Sequence, residues 1–364
     1  MPWHPFHNPL TTSMKTTTRL CLSLAFAAVF TGCQKPQPPA ATEPLLKPRV
    51  GFLLPDKYNS PDGMTIAKDG CIYLSMNNVV HQEFPGMILK ITPDDKLEEV
   101  ITLPPHPDTK LASPLGLAFG ADGNLYVADN QAFCTKDPGK SRLLRVIMKD
   151  GKAMGCEVVA LGLNMANGLA TKGDSVYVCE TTINSESPMP SGVYRFKLSE
   201  LNPATPITVT GLDDPHLVVK LMTQNTEHKV GANGLDFDAA GNMYVCNFGD
   251  REVIKVAFDA DGKIKTQTVH AKDPAMLSCD GLHVDAEGNC WVADFLGNAV
   301  VKINKAGKAT VIAKNGESDG ADGSLHSPSE CILRGNKVYV SNINLTYGPH
   351  KSSKVYTISV IDLK

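Results

Sequence analysis

Residues 231–248, GANGLDFDAAGNMYVCNF, hold two short apolar runs that are separated by the polar turn DAAGN. A turn of this kind between two apolar runs is typical of a β-hairpin. The Asn-Gly pair at the start of the stretch precedes the first run, so it does not belong to that turn. Its place at the entrance of a strand needs another explanation, which comes from the rest of the chain.

The same order of apolar run, polar turn and second apolar run occurs six times. The first run opens at Gly63, Gly116, Gly168, Gly234, Gly281 and Glu330, in steps of 53, 52, 66, 47 and 49 residues. Steps of about 50 residues are typical of one four-stranded propeller blade, and six copies in phase disfavour the alternative, a β-sandwich. The six rows are PDGMTIAKDGCIYLSMN, PLGLAFGADGNLYVADN, ANGLATKGDSVYVCET, ANGLDFDAAGNMYVCNF, CDGLHVDAEGNCWVADF and PSECILRGNKVYVSN.

The sequence therefore predicts an all-β fold, a six-bladed β-propeller with four antiparallel strands in each blade. Further strand pairs between the rows, such as residues 252–262 with 263–271, supply the third and fourth strands. The last row is followed by one more strand, at residues 354–363, and PRVGFLLP at residues 48–55 is a free N-terminal strand that could complete this blade. Such a closure would hide an exposed sheet edge. The step of 66 residues indicates an insertion around residues 202–215.

The N-terminal residues 14–33, MKTTTRLCLSLAFAAVFTGC, combine a short cationic start, an apolar stretch and small residues that end at Cys33. The apolar stretch is too short to span a bilayer. It resembles a bacterial lipoprotein signal, which predicts a signal peptide at 1–32, lipid attachment at Cys33, a Pro-rich tether at 33–47 and a propeller at 48–364. Gln34 resembles the outer-membrane sorting pattern, so we expect a periplasmic protein held to the outer membrane by its lipid. A plain cleaved secretory signal is the alternative.

Composition excludes some classes of function. A net charge of -3 with no basic tract gives no reason to expect nucleic acid as a partner. The ten cysteines include no Cys-x-x-Cys pair that would suggest zinc or redox chemistry, and no disulfide pairing can be assigned to them.

The residues that precede the opening positions are candidates for one shared site. In a propeller the first strand of every blade starts beside the central channel on the same face, so these residues should form a ring there. Two carboxylates and two amides among them suit Ca²⁺ better than a softer metal. For one Asx residue alone, the usual role is to cap a tight loop. The six residues are Asp62, Leu115, Asn167, Asn233, Asp280 and Ser329.

These rows resemble the regucalcin/gluconolactonase family of six-bladed propellers over roughly residues 50–364. The resemblance implies a catalytic divalent cation, most simply Ca²⁺, held by Asp62, Asn167, Asn233 and Asp280, while Leu115 stands at a position that gives no ligand. It also implies that Asp280 is the general base that takes a proton from the attacking water; a pure ligand role is the alternative. Asp62 departs from the family, which has a longer Glu there, and this puts the first ligand in doubt.

The implied function is hydrolysis of a small-molecule lactone or related ester, with water attacking a carbonyl that the metal polarises. Six residues at the ends of the second strands share the same face and are candidates to contact substrate or to support the ligands; polar strand ends facing water are the alternative. Two other functions remain open: a noncatalytic propeller of the NHL-repeat type, and a metal-free enzyme resembling strictosidine synthase that would depend on Glu180. The six strand-end residues are Asp129, Asn130, Glu180, Asn247, Asp294 and Asn342.

Overall fold

The computed structural model describes residues 44–364, and every structural statement below refers to this part of the chain. It contains 25 strands and two short 3-10 helices, Asp56–Tyr58 and Leu198–Glu200, which confirms the predicted all-β class. Among these residues no helix is long and apolar enough to cross a membrane. The strands are β1 (Arg49–Leu54), β2 (Pro61–Ile66), β3 (Ile72–Met76), β4 (Met87–Ile91), β5 (Leu97–Thr102), β6 (Pro114–Phe119), β7 (Leu125–Asp129), β8 (Ser141–Lys149), β9 (Lys152–Leu163), β10 (Ala166–Lys172), β11 (Ser175–Glu180), β12 (Met189–Lys197), β13 (Ile207–Thr208), β14 (Leu217–Thr223), β15 (Ala232–Phe237), β16 (Met243–Asn247), β17 (Glu252–Phe258), β18 (Ile264–Ala271), β19 (Leu282–Val284), β20 (Cys290–Asp294), β21 (Ala299–Ile303), β22 (Ala309–Lys314), β23 (Pro328–Arg334), β24 (Lys337–Asn342) and β25 (Tyr356–Asp362).

The strands form six separate sheets, and each sheet is one blade of the predicted propeller. Apart from β1 and β13, consecutive strands within a blade pair as antiparallel neighbours, so the chain builds the blades one after another. The sheet orders, from the axis outward, are β2-β3-β4-β5, β6-β7-β8-β9, β10-β11-β12-β14, β15-β16-β17-β18, β19-β20-β21-β22 and β23-β24-β25-β1.

The N-terminal strand closes the ring as predicted. Strand β1 pairs antiparallel with β25, from Arg49 opposite Val360 to Leu54 opposite Tyr356. The sixth blade therefore joins the two ends of the described chain in one sheet, and the outer edge of β25 is covered.

The second blade differs from the predicted four strands. The short strand β13, which lies in the insertion between β12 and β14, pairs in parallel with β9 and adds a fifth strand to that sheet. The long step in the repeat therefore corresponds to a segment that returns from the third blade to cover an edge of the second.

Apolar side chains fill the space between neighbouring blades. Six separate buried clusters each combine strands of two adjacent blades, including the pair formed by the sixth and first blades. Because every sheet is packed on both faces, the second strands are buried along their whole length instead of alternating between core and solvent.

The Asp-x-x-Gly-Asn turns have a shared structural role. In the fourth blade the Asp238 carboxylate accepts hydrogen bonds from the Asn242 amide at 2.9 Å and from the Tyr244 hydroxyl at 3.2 Å. Gly241 lies at a φ of 84°, where a side chain would be strained. The turn thus fixes the hairpin and gives a hydrogen-bond partner to the tyrosine that packs between blades.

The opening glycines allow the first strands to touch around the axis. A Cβ atom on Gly116 would lie 2.5 Å from the carbonyl oxygen of Asn167 and 2.6 Å from the amide nitrogen of Leu169. These atoms are backbone and cannot move aside, so a larger residue would push two blades apart.

We therefore expect Gly116→Ala to lower the free energy of unfolding by about 1–3 kcal/mol, the usual effect of overpacking. Gly155→Ala is the matched control, because its Cβ would meet no atom within 4 Å, and it should change stability by less than about 0.5 kcal/mol. Chemical denaturation of both variants measures the difference; equal stability would show that the ring has room for a side chain.

The predicted signal peptide, the predicted lipidation site Cys33 and most of the predicted tether lie outside the described residues. Within the described part, the eight cysteines are all free thiols, so no disulfide contributes to the propeller as it stands.

Candidate metal and substrate site

A repeated irregularity of the backbone places the predicted ligands. The pairing between first and second strands shifts register at the residue before the opening glycine and at the glycine itself, in the first four blades. A bulge of this kind turns a side chain away from its ordinary direction in the sheet. The Asn-Gly pair at 233–234 lies in such a shift, between Ala232 and Leu235, and this is the structural reason for its place at the strand entrance.

The four predicted ligands line one cavity. Its volume is about 280 Å³, and Asp62, Asn167, Asn233 and Asp280 all contribute to its wall. Leu115, the ring residue predicted to give no ligand, also lines it. The sixth ring residue, Ser329, does not line the cavity. Its hydroxyl lies 3.1 Å from the Ser341 hydroxyl and donates to the Pro61 carbonyl at 3.3 Å.

Backbone hydrogen bonds between neighbouring blades fix the spacing of these residues. The Gly234 amide donates to the Asp280 carbonyl at 2.9 Å, and the Gly281 amide donates to the Ser329 carbonyl at 2.7 Å. The fourth, fifth and sixth blades are therefore tied together beside the cavity, and the backbone that carries Asn233 and Asp280 has little freedom to separate.

Burial works against the charged form of the two carboxyl groups in the cavity. Burial raises the pKa of Asp62 to about 7. Burial, and then the nearby carboxyls of Asp62 and Glu330, raise the pKa of Asp280 well above its ordinary value. No Lys, Arg or His side chain lines this cavity to offset the two acids, so a bound positive ion would relieve their repulsion.

This set of side chains fits a hard divalent cation. Two carboxylates and two amide oxygens are ligand types that Ca²⁺ takes, and neither imidazole nor thiolate borders the cavity. In residues 44–364 no cluster of three or more His, Cys, Asp or Glu side chains could hold a metal. The candidate site is compatible with that finding because half of its ligands are asparagines.

The six strand-end residues, predicted to contact substrate or to support the ligands, are not among the residues that line the cavity. All six are buried, and their side chains accept hydrogen bonds from neighbouring loops and strand ends. Asn247 accepts a hydrogen bond from the Thr223 hydroxyl, and Asn130 accepts one from the Ala132 amide. The other four, Asp129, Glu180, Asp294 and Asn342, accept from the backbone amides of Ser113, Asn164, Met165, Leu277, Ser278, Gly297 and His326.

Glu180 illustrates this supporting role. Its carboxylate accepts hydrogen bonds from the amides of Asn164 at 2.8 Å and Met165 at 2.6 Å. Burial raises its pKa to about 7, although these backbone hydrogen bonds act in the opposite direction. Because the Glu180 carboxylate is already bonded to loop amides and does not line the cavity, its position disfavours the metal-free alternative.

Glu330 is a residue whose role the sequence did not indicate, although it interrupts the series of opening glycines. Its carboxyl group lies beside Gly281 on the axis. It lines a second cavity of about 240 Å³, together with Asp236 and His283, whose side chains are 3.1 Å apart. Burial raises the pKa of Glu330 well above its ordinary value. The channel is therefore acidic on both sides of the glycine ring.

Beyond the ring residues, the 280 Å³ cavity is lined mainly by aromatic and aliphatic side chains. The sequence analysis did not predict these residues as part of the site. Phe248, Phe295 and Tyr347 contact one another with ring centroids 6.0–6.2 Å apart. The signal was present in the rows, because Phe248 and Phe295 directly follow the second strands of the fourth and fifth blades. Without the loop conformation, nothing indicated that they turn toward the axis.

Sequence comparison supports the resemblance that the repeats suggested. Residues 214–317 match the SMP-30/Gluconolactonase/LRE-like region. This SMP-30/gluconolactonase-like region runs from the last strand of the third blade through the fifth blade, and it contains Asn233 and Asp280 but neither Asp62 nor Asn167. No curated protein sequence matches the chain significantly.

Solved structures share the fold at low sequence identity. A gluconolactonase from Xanthomonas campestris is 16% identical, with a TM-score of 0.52 over 89% of this chain and 96% of its own. The calcium-binding protein regucalcin from Agrobacterium tumefaciens is 14% identical, with a TM-score of 0.54 over 88% and 95%. The PQQ-bound aldose sugar dehydrogenase from Streptomyces coelicolor is also 14% identical, with a TM-score of 0.56 over 88% and 99%. Because these proteins differ in activity, the likeness shows the fold alone.

Proposed function

We propose that this protein is a calcium-dependent hydrolase of lactones or related esters. The observation that carries the proposal is the meeting of Asp62, Asn167, Asn233 and Asp280 in one cavity, although they lie far apart in the chain. The match of residues 214–317 to the SMP-30/Gluconolactonase/LRE-like region supports the same class of reaction.

The four residues would hold the calcium ion through two carboxylates and two amide oxygens. Bound there, the ion would polarise the substrate carbonyl and stabilise the oxyanion that develops on it. Asp62 is one methylene shorter than the family's Glu, yet it borders the same cavity as the other three. The shorter side chain therefore does not remove the first blade from the proposed site.

Asp280 is proposed to act as the general base. Its carboxylate takes a proton from the attacking water, whose oxygen forms a bond to the carbonyl carbon. The bond between that carbon and the ring or ester oxygen then breaks, and the proton passes from Asp280 to the departing oxygen. A lactone and one water thus give a hydroxy acid, and no oxidant or further reactant is needed.

Calcium titration tests this proposal most directly. Isothermal titration of the propeller, residues 44–364, should show one calcium site, and Asn233→Ala should weaken it by about tenfold or more. Hydrolysis of a panel of lactones and aryl esters should stop on chelation and return when calcium is restored. If neither protein binds calcium, the hydrolase proposal fails and the noncatalytic propeller becomes the better explanation.

We also propose that the enzyme works in the periplasm, anchored by a lipid on Cys33 and tethered to the outer membrane. The support is the N-terminal sequence, residues 14–33 with Gln34. Metabolic labelling with a palmitate analogue, compared between the natural chain and Cys33→Ser, would detect the lipid; labelling of both or of neither contradicts it.

A further inference from the structure

The residues that line the cavity fall into two groups: the four proposed calcium ligands, which form its floor, and the other residues, which form its wall. Of the fourteen residues that line it, only Asp62 and Asp280 carry charge, and both belong to the proposed calcium site. Most of the others are aromatic or aliphatic side chains, and no Lys or Arg is among them. No cationic side chain therefore lines the cavity to pair with an anionic substrate, and the two carboxylates would already balance the charge of the proposed calcium ion.

The aromatic part of the wall is held in place. Phe295 packs against the buried His350, with ring centroids 5.4 Å apart. The His350 ring is fixed at both nitrogens, because Nε2 lies 2.8 Å from the Phe295 carbonyl oxygen and Nδ1 lies 2.7 Å from Glu317. Phe248 and Phe295 are each only 3% exposed. The apolar surface is thus a preformed feature of the cavity and not a loose loop.

The wall offers few hydrogen bonds to a substrate. Both hydroxyls among the lining residues already have partners. The Tyr347 hydroxyl lies 3.3 Å from Nδ1 of His228, and the Thr346 hydroxyl donates to the Ser352 hydroxyl at 3.2 Å and accepts from the Ser352 amide at 3.0 Å. A lactone that carries several hydroxyl groups would lose its hydrogen bonds to water without gaining replacements, and each buried hydroxyl that stays unpaired weakens binding. An alkyl or aryl group would instead gain from burial against these rings.

We propose that the substrate is a neutral lactone or ester with an apolar alkyl or aryl substituent, and that polyhydroxylated sugar lactones are poor substrates. This inference rests on the proposed hydrolase function and adds the class of substrate to it. The reacting carbonyl lies over Asp62 and Asp280, and the apolar substituent lies against Phe248, Phe295 and Tyr347. The cavity volume of about 280 Å³ is at the lower end for small-molecule sites, so a single short chain or ring fills it.

A series of six-membered lactones tests the inference. The substrates are D-glucono-δ-lactone, δ-valerolactone and δ-lactones with side chains of two to six carbons, each assayed with calcium and corrected for spontaneous hydrolysis. We expect kcat/KM to rise about fourfold for each added methylene until the cavity is filled. D-glucono-δ-lactone should fall below the unsubstituted δ-valerolactone. Hydrolysis of the sugar lactone as fast as the alkyl lactones would overturn the inference.

Matched variants locate the effect at the wall. Phe295→Ala should reduce the advantage of the longest alkyl lactone over δ-valerolactone by about tenfold or more, whereas Phe237→Ala should leave this ratio unchanged. Phe237 has a similar size but packs against Tyr177, away from the cavity. Phe133, a partly buried loop residue of the wall, gives a second variant, Phe133→Ala, if Phe295→Ala does not fold. An unchanged ratio in a folded wall variant contradicts the inference.

Binding separates this inference from the hydrolase proposal. If no lactone is hydrolysed, titration calorimetry with the corresponding alkyl-substituted and polyhydroxylated δ-lactams still measures which substituent the cavity accepts. Binding of the alkyl lactam alone would keep the apolar site and reject only hydrolysis. Binding of the polyhydroxylated lactam, or of neither lactam, would reject the apolar site as well.

Discussion

Asp280→Asn should lower the rate of hydrolysis by about 100-fold to 10,000-fold even when calcium is saturating. The amide keeps an oxygen that can coordinate the ion, but it cannot take a proton from the attacking water, and general-base catalysis contributes a factor of this size. Calcium affinity should also fall, because one of the two negative charges in the cavity is lost.

The comparison with Asn233→Ala separates the two roles of Asp280. Asn233 is proposed as a ligand only, so its variant should need more calcium but recover to within about tenfold of the natural rate at saturation. Ser329→Ala is the control at a ring position that does not line the cavity, and it should leave calcium affinity unchanged. If Asp280→Asn also recovers at saturating calcium, Asp280 is a ligand without a role in proton transfer.

The repeats made the fold predictable because the local sequence of each copy determines its own hairpin. The Asp-x-x-Gly-Asn turn fixes a hairpin through contacts within about six residues, as Asp238 does with Asn242 and Tyr244. Six hairpin units at a spacing near 50 residues define the ring, although only those at 238–242 and 285–289 have this turn sequence. The closure of the ring by β1 followed from one unpaired apolar run. The extra strand β13 was not predictable, because a two-residue pairing with a neighbouring blade has no sequence pattern of its own.

The meeting of the four proposed ligands was predictable from the repeats, because the symmetry of a propeller brings equivalent positions of its blades to one axis. Asp62, Asn167, Asn233 and Asp280 occupy equivalent places in four rows, and they do line one cavity. The wall was not predictable, because Phe295 reaches it through a loop that His350, 55 residues away in sequence, holds in place. Symmetry could not tell which way the strand-end side chains point; Asp129, Glu180 and Asp294 accept hydrogen bonds from the backbone amides of loops.

Asp129 provides the largest expected effect on stability. Its carboxylate is fully buried and lies 2.5 Å from Nη2 and 2.7 Å from Nε of Arg142, whose side chain is 4% exposed. The other carboxylate oxygen accepts hydrogen bonds from the Ser113 amide at 2.7 Å and the Gln131 side chain at 2.9 Å. Asp129→Asn leaves the guanidinium buried without a counter-charge, so we expect the free energy of unfolding to fall by about 3–5 kcal/mol.

A double variant distinguishes a structural role of Asp129 from a role in the site. When Arg142→Met is added to Asp129→Asn, no buried charge remains unpaired, and much of the lost stability should return, as measured by chemical denaturation of both variants. Calcium affinity and the rate of hydrolysis, measured well below the unfolding transition, should stay close to natural values in both, since neither side chain lines the cavity. A large loss of activity with little loss of stability would instead place Asp129 among the residues that act on the substrate, because a carboxylate needed only for folding cannot change the reaction of molecules that remain folded.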